Sequence, residues 1–537
     1  MPRPPSPRAT AIATTLAAAL VATAGVPALA AGEFPPGWQG YHTYAEMRAE
    51  VAAVAAAHPD IVLPFSIGTS YKGREILAAK ISDNVGTDED EPEVLFDGLH
   101  HADEHMSLEM TLQILHWLAD GYGTDPRITD IVNTRETWIV FAVNPDGAQF
   151  DIKGGRFHFW RKNRQPNANG TIGTDLNRNY GYRWGGGGRT STNPLAITYR
   201  GPYAFSAPET RAMRDFLAGR VVDGRQQIRA AITVHEYGRL VMWPYGYTNT
   251  DVPADMAVAD HAALAKIGRR MARTSGYRAQ QASDLYVTSG TTRDYLYGRY
   301  RVFSYTFELS IRDYPKDGRI GPETGRNRAA VLYLMEKAWC PLAVLGPEVR
   351  AARCGAFDDD LEVARGWTVN PDGTDTAPAS GRWVRGNPAR SMAGDLVLQR
   401  NRAPSGRMAL VTGAPTGTSA DAYDLDGLTT VRSGPITLPA AAGQSLTFGW
   451  LFAHPAGSSS AADRLRAIVE RTAGEQTVVW EQVGSSAAVA GTWRSASVNL
   501  DSWAGQTIHL RFEALDSGGA SIVEAGVDDV RVTRPGG

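Results

Sequence analysis

Short apolar runs alternate with longer segments of helical pattern over the first two thirds of this chain. Runs at 93–97, 138–144, 228–235 and 302–309 are dominated by apolar residues, the pattern of strands buried on both faces. Helical spacing predicts helices over 107–121, 208–217, 257–275 and 325–339. A further, Ala-rich helix opens at Tyr44, behind Thr43 and Glu46 in capping-box spacing, and runs to about His58. Alternation of this kind predicts an α/β domain, a mixed sheet flanked by helices. Ligands in such sheets bind where strands end and loops begin.

The texture changes after Cys354. Short alternating segments at 446–451, 465–470, 477–481, 507–512 and 527–532 are punctuated by Gly, Ser and Pro, with no long helical pattern. That predicts an all-β sandwich or jelly roll. The expected division is 31–350 for the α/β domain and 351–537 for the β domain. Trp367, Trp383, Trp450, Trp480, Trp493 and Trp503 are expected as core residues of the latter rather than as a sugar-binding platform.

Length and charge narrow the picture. The chain has 537 residues, more than one ordinary domain. A net charge of -3 and a pI near 6.4 leave no basic footprint, which argues against nucleic acid as the main partner. Arg3 and Arg8 precede an apolar stretch over 11–24 and then Ala28-Leu29-Ala30, an end that a signal peptidase accepts. Residues 1–30 therefore read as a cleaved signal peptide and the mature protein as secreted; the apolar run is short for a bilayer span. Cys340 and Cys354 lie fourteen positions apart. In an exported protein such a pair suggests a disulfide, with two free thiols as the alternative.

Candidate chemistry gathers at strand ends. Val94-Leu95-Phe96 runs into Gly98-Leu99-His100-His101-Ala102-Asp103-Glu104-His105, so an imidazole and a carboxylate in His-x-x-Glu spacing leave one tight turn. Catalytic zinc takes mixed nitrogen and oxygen donors of this kind, three from the protein with one position left open. His235 ends another strand, ahead of Tyr237 and Trp243-Pro244-Tyr245-Gly246, and Glu308 ends a third within Phe303-Ser304-Tyr305-Thr306-Phe307-Glu308-Leu309. Taken singly, His235 reads more readily as a core histidine than as a ligand, and an ion pair is the alternative for Glu308.

Together and in this order, the motifs resemble the zinc metallocarboxypeptidases, the family of the pancreatic carboxypeptidases and their bacterial secreted relatives, over roughly 40–345. The resemblance implies a carboxypeptidase-like fold and one zinc ion on His101, Glu104 and His235, with Asp175 orienting His101. His100 and His105 fall outside the motif's register. Glu308 is implied as the base that takes a proton from zinc-bound water and delivers one to the leaving amine. Within Trp160-Arg161-Lys162-Asn163-Arg164, the family pattern assigns oxyanion stabilisation to Arg164 and leaves Arg161 structural or solvent-facing. Asp175-Leu176-Asn177-Arg178-Asn179-Tyr180 is similar to the segment that holds the substrate's free carboxylate, through Asn177 and Arg178. Tyr286 matches the tyrosine that closes over substrate, and Tyr237 joins the substrate-binding set.

Three positions depart from the family pattern. Asp103 stands where an arginine is frequent, and Glu236 follows His235 where a small hydroxyl residue is common. Arg293, in Tyr286-Val287-Thr288-Ser289-Gly290-Thr291-Thr292-Arg293-Asp294, matches the floor of the pocket for the C-terminal side chain. A guanidinium there predicts preference for acidic C-terminal residues, unless it turns to Asp294 or Asp284.

The resulting expectation is a secreted zinc carboxypeptidase acting on peptide or protein C-termini, active without removal of an N-terminal inhibitory segment. A zinc hydrolase of cell-wall or γ-glutamyl peptides is the rival enzyme, and a non-catalytic binding protein is the rival outside enzymology. Asp358-Asp359-Asp360 and Asp528-Asp529 offer oxygen ligands for a structural calcium ion in the β domain, with solvated turn acids as the alternative.

Overall fold

The computed structural model describes residues 34–533, apart from 90, 223, 347–348, 351–352, 363, 405, 414–423, 441 and 519–520. The expected signal segment lies outside the described residues. No described helix is long and apolar enough to cross a membrane.

Eight strands form one mixed sheet, in the order Val62–Thr69, Glu75–Ile81, Glu136–Val140, Glu93–Asp97, Ile228–Glu236, Phe303–Leu309, Leu240–Trp243 and Arg278–Gln281. The four central strands, from Glu136–Val140 to Phe303–Leu309, run parallel. Glu93–Asp97 and Glu136–Val140 are buried at every position, as strands covered on both faces must be. One core cluster packs Met47, Val51, Leu115, Ile232, Leu264 and Leu334 on one face of the sheet. A second packs Leu95, Val140, Leu176, Met213 and Leu296 on the other.

The first helix, Tyr44–Ala57, carries the predicted capping box: Thr43 accepts from Glu46 N at 3.3 Å and Glu46 accepts from Thr43 N at 2.9 Å. The helix predicted over 325–339 is Arg328–Lys337, and a separate short helix, Ile320–Gly325, precedes it. Cys340 and Cys354 are disulfide-bonded, with Cα atoms 5.7 Å apart.

The C-terminal part is a β-sandwich of antiparallel strands. One sheet orders Trp383–Gly386, Ala409–Thr412, Glu524–Thr533, Ser445–Ala453 and Arg494–Asn499. The other orders Thr368–Val369, Gly427–Arg432, Thr507–Asp516, Arg464–Arg471 and Gln476–Val483. Leu446, Phe448, Leu465, Leu510 and Phe512 meet between them. Trp383 and Trp450 enter this core, Trp367, Trp480 and Trp503 pack against it, and Trp493 packs on smaller apolar clusters apart from it. The acids considered for calcium are engaged locally: Asp358 accepts from Arg531, Asp359 from Leu361 N and Trp367 Nε1, and Asp528 from Asp529 N. They do not form one of the metal-capable groups of three found among the described residues.

Candidate active site

The turn after Glu93–Asp97 is shaped by close approach. A Cβ on Gly98 would meet Ser107 O at 2.8 Å, and Leu99 adopts a left-handed φ of 56°. Ser107 then accepts from Leu99 N at 2.9 Å, tying the turn to the first turn of helix Met106–Gly121. His101 and Glu104 leave this turn toward the end of strand Ile228–Glu236, where His235 sits. Nδ1 of His101 and Nδ1 of His235 lie 2.6 and 2.7 Å from the two Glu104 oxygens and 3.1 Å from each other. All three side chains are buried.

Two imidazole nitrogens and a carboxylate, two of the three from the turn and one from the strand end, form a donor set that suits zinc. Burial pushes the His235 imidazole down to about 4, which keeps it neutral, the form that ligates metal. Burial opposes ionisation of Glu104 as well, yet His101 and His235 hold it well below the usual carboxylate range. His101 turns its other nitrogen, Nε2, to Asp175 Oδ1 at 3.2 Å. The flanking histidines point elsewhere. His100 Nε2 meets Tyr180 Oη at 2.8 Å and Thr292 Oγ1 at 2.9 Å, and His105 Nε2 meets Asp151 at 3.0 Å.

Parallel pairing of Phe303–Leu309 with Ile228–Glu236 sets Glu308 directly opposite His235. Burial first, then the charge of Glu104, pushes the Glu308 carboxyl up to about 8. One cavity of about 530 Å³ is lined by His101, Glu104, Arg161, Arg178, Arg293 and Glu308. Asn177, Tyr237 and Tyr286 border the same space.

Asn177 is pinned. Its amide nitrogen lies 3.1 Å from His235 Nε2 and its carbonyl accepts from Thr292 N at 2.9 Å. Arg178 donates from Nε to Arg189 O at 2.8 Å and from Nη1 to Asn177 O at 2.7 Å, which orients its guanidinium, and the residue lines the cavity. Gly290 lets the Tyr286 loop approach: a Cβ there would meet Arg178 O at 2.5 Å. The Tyr286 ring stands 5.9 Å from the Arg178 guanidinium.

Arg164 requires a correction. Its guanidinium stacks 3.6 Å from the Phe150 ring centroid and 4.4 Å from that of Trp160, and it does not line the cavity. Arg161 reaches the site instead, donating from Nε to Asp175 at 3.1 Å and from Nη1 to Glu104 at 3.4 Å. The reason is local: Arg161 O accepts from Ala102 N at 3.0 Å, which draws that residue against the metal-site turn. Two aromatic faces draw Arg164 away.

Arg293 lies at the cavity wall, 4 % exposed. It donates from Nε to Asp294 at 3.2 Å and from Nη1 to Thr306 at 3.0 Å. Nη2, 3.1 Å from the same Asp294 oxygen, is not aligned to donate to it and has no other partner. Gly246 makes room, since a Cβ there would stand 2.5 Å from Nη2. Met242, Thr288, Thr291 and Thr306 complete this part of the lining and carry no sequence signal as binding residues.

Comparison with known proteins agrees with this geometry. The family model for zinc carboxypeptidases matches residues 47–330. A zinc carboxypeptidase of Saccharothrix mutabilis subsp. capreolus is 42 % identical over 60 % of this chain and 74 % of its own length. Carboxypeptidase A2 of Rattus norvegicus is 31 % identical over 58 % and 71 %. Among solved structures, thrombin activatable fibrinolysis inhibitor aligns at a TM-score of 0.51 and 26 % identity, over 56 % of this chain and 74 % of that one. Carboxypeptidase A of Helicoverpa armigera aligns at 0.50 with the same identity and coverage. A family match over more than half of the chain, on a fold that brings together three side chains able to hold a metal ion, makes this protein a member of the zinc carboxypeptidase family and a metallocarboxypeptidase.

Proposed function

We propose that this enzyme removes acidic residues from the C-termini of peptides, with Glu308 as its general base. The observation that carries the reading is one cavity lined by His101, Glu104, Glu308, Arg178 and Arg293, with His235 held behind it against Glu104 and His101. His101, Glu104 and His235 would hold zinc, which supplies Lewis-acid polarisation of a carbonyl and acidifies water when bound. Glu308 takes the proton from the attacking water and returns it to the departing amide nitrogen, so the amine leaves neutral. Arg161, paired with Glu104 and Asp175, presents its charge where the carbonyl oxygen becomes negative. Arg178 grips the terminal carboxylate, Asn177 adds a neutral donor and Tyr286 covers the group. Arg293, only partly satisfied by Asp294, meets the carboxylate of a C-terminal Glu or Asp. Export through the N-terminal signal and a catalytic unit at 31–350 followed by a β-sandwich module belong to the same proposal.

The test is release of the last residue from matched peptides ending in Glu, Asp, Leu, Phe, Lys or Arg, with and without a zinc chelator. Chelator-sensitive release led by Glu or Asp is expected. Efficient release of Leu or Phe without the acidic residues would overturn the preference. Glu308→Gln should lower kcat by about 10²–10⁴-fold while zinc content stays at the level of the parent enzyme.

A further inference from the structure

We infer that Asp103 and Asp313 select a basic residue immediately upstream of the cleaved bond, so that the preferred substrates carry Lys or Arg next to their C-terminal residue. This rests on the carboxypeptidase reading of the site and adds a second specificity element to it. The carboxylate grip and Arg293 account for one part of the cavity. A peptide held there sends its remaining chain across the metal trio to the part that they leave open. Asp103, Asp313, Phe159 and Tyr237 line the same cavity; Asp103 adjoins Glu104 in the chain, and the Asp313 carboxyl feels the charges of Glu104 and Arg161.

Neither acid is spent. Asp103 Oδ1 is buried with no hydrogen-bond partner, and neither Asp103 nor Asp313 forms an ion pair among the described residues. The nearby cation, Arg161, is paired with Asp175 and Glu104 instead. Two wall carboxylates that form no ion pair favour a cation over an acidic side chain beside them. Aromatic surface supports the same choice. Phe159 is 72 % exposed and Tyr237 50 % exposed, both on the lining, and the Tyr314 ring lies 5.4 Å from Phe159. A Lys or Arg stem packs along such rings, and its head interacts favourably with their faces.

The experiment uses peptides with a common C-terminal residue and a varied penultimate one: Lys, Arg, norleucine, Ala or Glu. Norleucine keeps the lysine stem without the charge. The full chain should give kcat/KM for Lys on the order of tenfold above norleucine, with Glu slowest. The Lys-to-norleucine ratio should fall toward one in Asp103→Asn and in Asp313→Asn, and in high salt. Because the ratio is taken within each variant, a general loss of activity cancels. Asp313 is exposed, so its variant keeps the test valid even where Asp103→Asn folds poorly. Equal rates for Lys and norleucine in the parent enzyme would overturn the inference and leave the carboxypeptidase reading standing. Absence of release from every peptide would overturn that reading and the inference with it.

Discussion

Asp175 Oδ1 lies 3.2 Å from Nε2 of His101, on the side of the ring away from Glu104 and His235. Burial opposes the charge of Asp175, but Arg161, Arg178 and His101 hold its carboxyl well below the usual range, so it is an acceptor only. It therefore fixes the tautomer with the proton on Nε2 and leaves the Nδ1 lone pair facing the metal position. Asp175→Asn should weaken zinc affinity by about tenfold to a hundredfold, read by competition with a chelator. An unchanged zinc affinity would remove Asp175 from this role.

Arg161 and Arg164 differ only in where they point, and substitution separates them. Arg161→Ala should lower kcat/KM by about 10²–10³-fold, since a positive charge aimed at a developing oxyanion is lost. Arg164→Ala should change kcat/KM by no more than about threefold and lower the melting temperature, because its stacking on Phe150 and Trp160 contributes roughly 0.5–1 kcal/mol. The reverse ranking of the two variants in steady-state assays would restore the assignment drawn from sequence.

That pair also shows where sequence reading stopped. His101 and Glu104 are legible because they follow an apolar run, and His235 and Glu308 because they stand at the ends of two others, and parallel strands bring those ends to one edge. Within Trp160–Arg164 both arginines have the same chemistry, and the choice is made by Ala102 N bonding to Arg161 O across the fold. Pairing of that kind leaves no local trace. Strand Val62–Thr69 escapes notice because Pro64 and Gly68 interrupt its apolar pattern, which an edge strand tolerates. Helix Thr292–Tyr300 is hidden by its polar, Gly-containing sequence, although Thr291 caps it by accepting from Asp294 N at 3.3 Å. This helix carries Arg293, so missing it left the arginine's pairing with Asp294 and Thr306 open.

Arg293→Ile replaces a charge at the cavity wall by an apolar surface. The ratio of kcat/KM for C-terminal Glu over Leu should fall by at least about tenfold, with release of Leu rising. Asp294 keeps the donors Gly246 N and Tyr247 N, at 3.0 and 3.1 Å, so the loop retains two of its ties. A Glu-to-Leu ratio that does not move would show that Arg293 serves Asp294 alone.

Glu362 offers a pH-dependent test of the β-sandwich's attachment to its neighbouring loop. Its Oε1 accepts from Arg407 N at 2.9 Å and Met408 N at 2.6 Å, while Oε2 is buried without a partner. Burial, reinforced by Asp360 and Asp83, outweighs those two donors and pushes the carboxyl from 4.5 up to about 8. The folded state then holds a proton that the unfolded chain releases near pH 4.5, so stability falls as pH rises through that window and the loss is complete above about 8. Glu362→Gln keeps an acceptor oxygen for the two amides and removes the titration. Scanning calorimetry between pH 5 and pH 9 should give a melting temperature that drops less steeply in the variant than in the parent. Parallel curves for the two proteins would mean that Glu362 stays ionised in the fold across this range.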